Sequence, residues 1–241
     1  MRSLLIFLGL SIAAPVMAAP TINPTTRPVA MEAGKVSIHL NNVHPKAVFS
    51  ELANQVGANF RPSPAGLWEG KEWPAVSIDL QDVSFWKALR TISEKTGLYI
   101  QRGAVERNYF VVNEPGSGKL WTTYPTSENG PFLFTLQSLD RLHRSDLVAG
   151  EISRQVNVRM ILYTEPKLRV LKVAQQTNVI EAVDELGNKL SPAPNPGTQA
   201  MGGTWWLTGR IALPENVGER IARVRGFARL TVQTRSEVAE I

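Results

Sequence analysis

The tryptophans have the most to offer a ligand, because an indole stacks on sugar rings and anchors protein interfaces. Trp68 and Trp73 fall in a Pro- and Gly-rich stretch, Trp86 falls inside a helical pattern, and Trp205 and Trp206 are adjacent. On a strand, adjacency turns one indole inward and the other outward. Trp68, Trp73 and Trp206 are therefore the candidate contacts for a ligand or partner. The competing use of the same side chains is to cover small cores.

The rest of the reactive inventory points away from catalysis. With no cysteine there is neither a thiol nucleophile nor a thiolate ligand. The histidines are His39, His44 and His143, and the first two fall on different kinds of local structure, which gives no metal-ligand spacing. Gly116-Ser117-Gly118-Lys119 invites a phosphate-loop reading, but Asn113 stands where the first glycine belongs and Leu120 where Ser or Thr should hold magnesium. No Gly-x-Ser-x-Gly occurs, and Asp184-Glu185 suits a turn better than a carboxylate pair. The expectation is a protein without catalytic residues, cofactor or metal.

The elements that must position these residues begin with an internal repeat. Val36–Arg61 matches Val76–Gln101 at an offset of 40 residues, with identities at Val36/Val76, Ser37/Ser77, Ile38/Ile78, Leu40/Leu80, Val43/Val83 and Gly57/Gly97. Each copy opens with alternating Val-x-Ile-x-Leu, which predicts a half-buried strand with Ser37 and His39, or Ser77 and Asp79, on the polar face. Helical spacing follows at Val48, Phe49, Leu52 and Val56, and at Ala88, Leu89, Ile92 and Thr96. His44-Pro45 and Ser84 suit helix starts, and Gly57 and Gly97 suit helix ends. A second strand follows in each copy, Asn59–Arg61 or Leu98–Gln101, and Tyr109–Val112 reads as a closing strand.

A strand, a connector, a helix ending before glycine (Gln55-Val56-Gly57 and Lys95-Thr96-Gly97) and a second strand, present twice, resemble the short N-terminal domain of secretins and TonB-dependent receptors. The resemblance covers residues 34–113, and Thr96-Gly97-Leu98-Tyr99 is its most specific part. It implies a periplasmic domain with exposed sheet edges that contacts other proteins, and it brings no catalytic residues. The stretch after residue 113 is too short for a secretin pore or for a transporter barrel with its plug.

Residues 114–130 are rich in Gly, Pro, Ser and Thr and read as a linker. Beyond them, strand-like runs occur at Phe132–Leu136, Val156–Tyr163, Arg169–Val173, Val179–Val183, Trp205–Ile211 and Ile221–Val232, with a turn at Asp184–Asn188 and a loop at Ser191–Gly203. Residues 131–241 are therefore expected to form an antiparallel, Ig-like β-sandwich, which makes the whole chain α+β: a tandem β-α-β repeat domain followed by that sandwich. Arg220, Arg223, Arg225 and Arg229 give the last strand a basic edge that guards against aggregation.

Compartment comes from the first residues. Arg2, the apolar run Leu4–Met17 and the small residues at Val16-Met17-Ala18 make residues 1–18 a signal peptide, with 19–33 an N-terminal extension. Roughly 14 apolar residues at about 1.5 Å each fall short of a bilayer core of about 30 Å. No later run is long enough to span, so no transmembrane segment is expected in the mature chain. The formal charge of +5 falls to +4 once Arg2 is removed, and export makes nucleic acid an unnatural partner. The expected partner is an envelope protein bound through the repeats, with an anionic envelope polymer as a further target. The alternative is envelope polysaccharide bound through exposed tryptophans of the second domain.

Overall fold

The computed structural model describes residues 2–11, 31–69, 72–102, 109–116, 124–148, 150, 152–193, 198–201 and 204–233. In chain order the elements are β1 (Arg2–Ser11), β2 (Lys35–Val43), α1 (Pro45–Val56), β3 (Asn59–Ser63), β4 (Val76–Ser84), α2 (Phe85–Thr96), β5 (Tyr99–Arg102), β6 (Tyr109–Asn113), β7 (Thr126–Asn129), β8 (Phe132–Ser145), β9 (Ile152–Thr164), β10 (Arg169–Asp184), β11 (Lys189–Pro192), β12 (Thr198–Met201), β13 (Thr204–Ala212) and β14 (Ile221–Gln233). Among the described residues no helix is long and apolar enough to cross a membrane.

Both helices start and stop on local chemistry. The His44 side chain accepts the Lys46 N–H at 3.1 Å and Pro45 opens α1, where its missing N–H costs nothing. Ser84 Oγ accepts the Lys87 N–H at 3.2 Å ahead of α2. Gly57 (φ 66°) and Gly97 (φ 69°) end the helices in the left-handed region that a side chain resists. Val48, Phe49, Leu52 and Val56 of α1 and Phe85, Trp86, Ala88, Leu89 and Ile92 of α2 are buried.

The strands, however, do not pair within each copy, and the expected tandem β-α-β repeat is corrected here. β2 pairs antiparallel with β4 of the other copy in a two-stranded sheet. β3 pairs parallel with β6, and β5 pairs with the other side of β6, in a three-stranded sheet. The equivalent residues His39 and Asp79 stand opposite each other, so a local twofold axis passes between the copies. Ser37 Oγ accepts the Asp82 N–H at 2.9 Å and Ser77 Oγ accepts the Asn42 N–H at 3.0 Å. Asn42 (φ 51°) and Asp82 (φ 50°) are the two left-handed bulge residues these serines hold, and Asn and Asp tolerate that region better than other side chains do. Each serine thus secures the bulge of the opposite copy.

The eight strands of the second half, β7 to β14, join β1 in a single nine-stranded sheet, not two facing sheets, which corrects the Ig-like sandwich and leaves a mostly β chain with two helices among the described residues. Its order is β1-β14-β10-β11-β13-β9-β8-β7, with β12 also on β13. β11 turns the corner: Ala182↔Leu190 joins it to β10, and Pro192↔Ile211 joins it to β13. β8, β9, β10 and β14 are long, and β10 slips register against β14 at several points. Long strands with bulges coil strongly, and this sheet curls until its outermost strands, β1 and β7, touch. One core fills the inside, with Phe134, Val158, Leu162, Leu207, Ile211 and Leu230 among its members. The loop expected at Ser191–Gly203 contains β12 and the end of β11, and β7 forms within the stretch read as a linker. The segment read as a signal peptide supplies β1; the cleavage position after Ala18 lies outside the described residues.

The halves pack directly. Leu133 of β8 belongs to the same core as Leu89 and Phe110. Trp86 Nε1 donates to the Pro131 carbonyl at 3.2 Å, and Arg90 reaches Thr126 Oγ1 at 2.7 Å. The Arg102 guanidinium donates to the Thr164 carbonyl.

Candidate functional site

A groove of about 580 Å³ runs between α1 and β3. Lys46, Phe49, Ser50 and Ala53 line it from the helix, at spacings of three and four that put them on one stripe. Phe49 is shared with the core, to which Val48, Leu52 and Val56 also belong. Phe60 and Pro62 of β3 line it from the strand, and Trp68 of the connector lines it too. The aromatic groups touch in series: Phe49 and Phe60 have ring centroids 5.4 Å apart, Phe49 and Trp68 6.2 Å, and His44 and Trp68 5.8 Å edge to face.

Trp73 supports this wall from behind. Its ring meets Trp68 at 5.8 Å, and its Nε1 donates to the Leu67 carbonyl at 2.9 Å, which pins the connector between the copies. Trp68 and Trp73 are therefore brought together, both half-buried. Trp206 is elsewhere: it lies on β13, opposite Ile161 of β9 and Gln199 of β12, and does not line the groove.

β3 is an edge strand. It pairs with β6 on one side and with no described strand on the other. Its Pro62 fits that position, because proline cannot donate to a ladder and sheets accept it at their edges. An apolar groove beside a free strand edge offers two things together: backbone hydrogen bonds along the edge and a pocket for side chains of an added strand.

One carboxylate missed by the sequence reading, Glu165, and one read as part of a turn, Asp184, each tie distant stretches of backbone together. Glu165, in the turn after β9, accepts the Gly34 N–H on both oxygens, at 2.8 and 3.1 Å. A side chain at position 34 would meet the carboxylate, since a Cβ there would sit 2.9 Å from Oε2. Burial pushes the Glu165 carboxyl up to about 7, against the opposing pull of the Gly34 hydrogen bond and Lys167. Asp184 lies in the expected turn: burial pushes its carboxyl up, but four hydrogen bonds, from Gly218, Leu186 and Asn188, outweigh it and hold the group below its ordinary value. Between the halves, burial lowers the Arg102 guanidinium to about 10 and raises the Tyr163 phenol to about 12.

His39 is raised by its hydrogen bond to Asp79, at 2.6 Å, on the open face of the two-stranded sheet. Among the described residues no group of three His, Asp or Glu is gathered as a metal site would require. Of the Gly116–Lys119 run, Ser117 onward lies outside the described residues.

No protein-family model, curated protein or solved structure matches this chain. The groove must be interpreted on its own geometry.

Proposed function

We propose that this chain is a non-catalytic exported envelope protein that binds an extended segment of a partner protein in the groove between α1 and the free edge of β3. The observation that carries the reading is an aromatic-walled groove alongside a strand edge that no described strand covers. The resemblance of residues 34–113 to the secretin and TonB-dependent receptor short domain supports the same mode, because it implies exposed sheet edges and contacts with other proteins. With the Pro62 nitrogen on the free side, strand alternation turns the Phe60 N–H and C=O the same way. An added strand would bond there and lay alternate side chains against Phe49, Phe60 and Trp68.

Ala53→Trp fills the groove from a half-buried position outside the core. It is expected to abolish co-purification of the envelope partner, cross-linked in intact envelopes, while the unfolding free energy stays within about 0.5 kcal/mol of the parent. Trp68→Ala should weaken capture and Trp206→Ala should leave it unchanged. Capture that survives Ala53→Trp but fails in Trp206→Ala would transfer the function to the second half and to the polysaccharide alternative. The export reading has its own test: N-terminal sequencing of the protein from the envelope should begin at Ala19, and recovery of the full chain from the cytoplasm would overturn it.

A further inference from the structure

We infer that the outer edge of β14 is a second acceptor, which takes an unbroken apolar strand from a partner protein once the N-terminal segment has been removed on export. The inference rests on the export reading above. β14 has two neighbours, β10 on one side and β1 on the other. The β1 ladder runs without a break from Arg2↔Val232 to Ser11↔Arg223. All of β1 lies within residues 1–18, so processing takes the entire ladder away and leaves the facing N–H and C=O groups of β14 unpaired. The inner row of the strand, including Ala228, Leu230 and Val232, remains buried in the core. Because β1 also touches β7, its departure leaves a slot between two strands and not a simple open edge.

The present occupant shows the chemistry the slot accepts. β1 is apolar at both parities, with Leu4, Ile6 and Leu8 on one and Leu5 and Phe7 on the other. Such a run suits a strand covered on both faces. Residues 19–33, which follow the cleavage position, are poorly suited to replace β1: they carry Pro20, Pro24 and Pro28, and a proline removes a ladder donor wherever it falls. A second copy fits poorly too. Two β14 strands paired antiparallel about Phe227 would set Arg225 against Arg229 on both sides of the axis, and like charges directly opposite destabilise a pair. Arg223 and Arg225 are shared by Glu181, whereas Arg229 projects into solvent. The occupant that fits is therefore an extended apolar segment of a different protein, held antiparallel and mainly by its backbone.

The probe is a synthetic peptide with the Arg2–Ser11 sequence and added terminal lysines for solubility, mixed with protein purified from the envelope and sized by mass spectrometry. The expected result is a mass starting near Ala19, with amide exchange across 223–232 slowed about tenfold or more by the peptide, on alternate residues. A peptide carrying Ile6→Pro and Leu8→Pro should give no protection. Processed protein that shows no slowing, or equal slowing with the proline peptide, overturns the acceptor while leaving the export reading intact. Protection of the alternate, slot-facing β14 amides in the monomer before the peptide is added would mean that the chain fills its own slot. A dimer that the peptide dissociates would assign the slot to a second copy, and either result overturns the inference. An intact mass of the full chain would remove the export reading and the vacated slot together.

Discussion

Leu89→Ala lowers the unfolding free energy by about 2–5 kcal/mol, the usual range for deleting a large aliphatic group from a closed core. Leu89 is 1% exposed, on the α2 face that meets both the β2–β4 sheet and the second half of the chain. The effect should not stay within the repeats. Leu133 of β8 shares the same core, and Trp86 and Arg102 bond to carbonyls of residues 131 and 164. Urea unfolding followed by tryptophan emission and by far-ultraviolet dichroism should therefore shift together, with an unchanged slope. A loss below about 0.5 kcal/mol would show that α2 does not cover this core. Two separated transitions would show that the halves unfold independently.

Glu165 is expected to make the fold more stable in mild acid than at neutral pH. Its carboxyl is raised from the ordinary 4.5 to about 7, chiefly by burial, so the folded state holds a proton that the unfolded chain releases. Its contribution is fully present below about pH 4.5 and is lost as the pH climbs through about 7. The displacement corresponds to on the order of 3 kcal/mol at most, and solvent near the turn screens it to less. Glu165→Gln keeps an oxygen for the Gly34 N–H and removes the charge. The variant should match the parent near pH 4.5, exceed it by about 1–3 kcal/mol at pH 8, and show a flatter stability profile between. Parallel profiles for the two proteins would rule out Glu165 as the source of the slope.

The features legible in the sequence were the ones encoded locally. Ser84, Gly57, Gly97 and the apolar spacing of each helix act within a turn or two of themselves, so reading them needed no partner. Alternation in Val36–Leu40 showed which face is buried but carries no information about which strand lies alongside, and the pairing of β2 with β4 was missed. The identity of Ser37 and Ser77 was the available signal, because a polar residue kept at the same place in both copies has a use, here the opposite bulge. In the second half most strand runs were visible. The corner strand β11 is four residues long with Pro192 at its end, and nothing so short advertises that it joins two larger groups of strands. Trp68 and Trp73 stood out by residue type. The groove they help to wall did not, because the stripe of Lys46, Phe49, Ser50 and Ala53 mixes polar with apolar residues and matches no amphipathic pattern.

The exchange of strands between the two copies also dictates an order of events as the chain emerges with its N-terminus first. β2 has no strand partner until β4 arrives, and β3 has none until β6 arrives. The first copy alone therefore cannot close a hydrogen-bonded sheet: β2 waits for β4, which ends at Ser84, and β3 waits for β6, which ends at Asn113. Closing loops of that length before any ladder can form is slow compared with closing a hairpin. The strands of the first copy thus stay without ladder partners until most of the repeat region is available. Cleaving the exposed connector at Pro64–Gly66 in the finished protein would leave two fragments still joined through both small sheets.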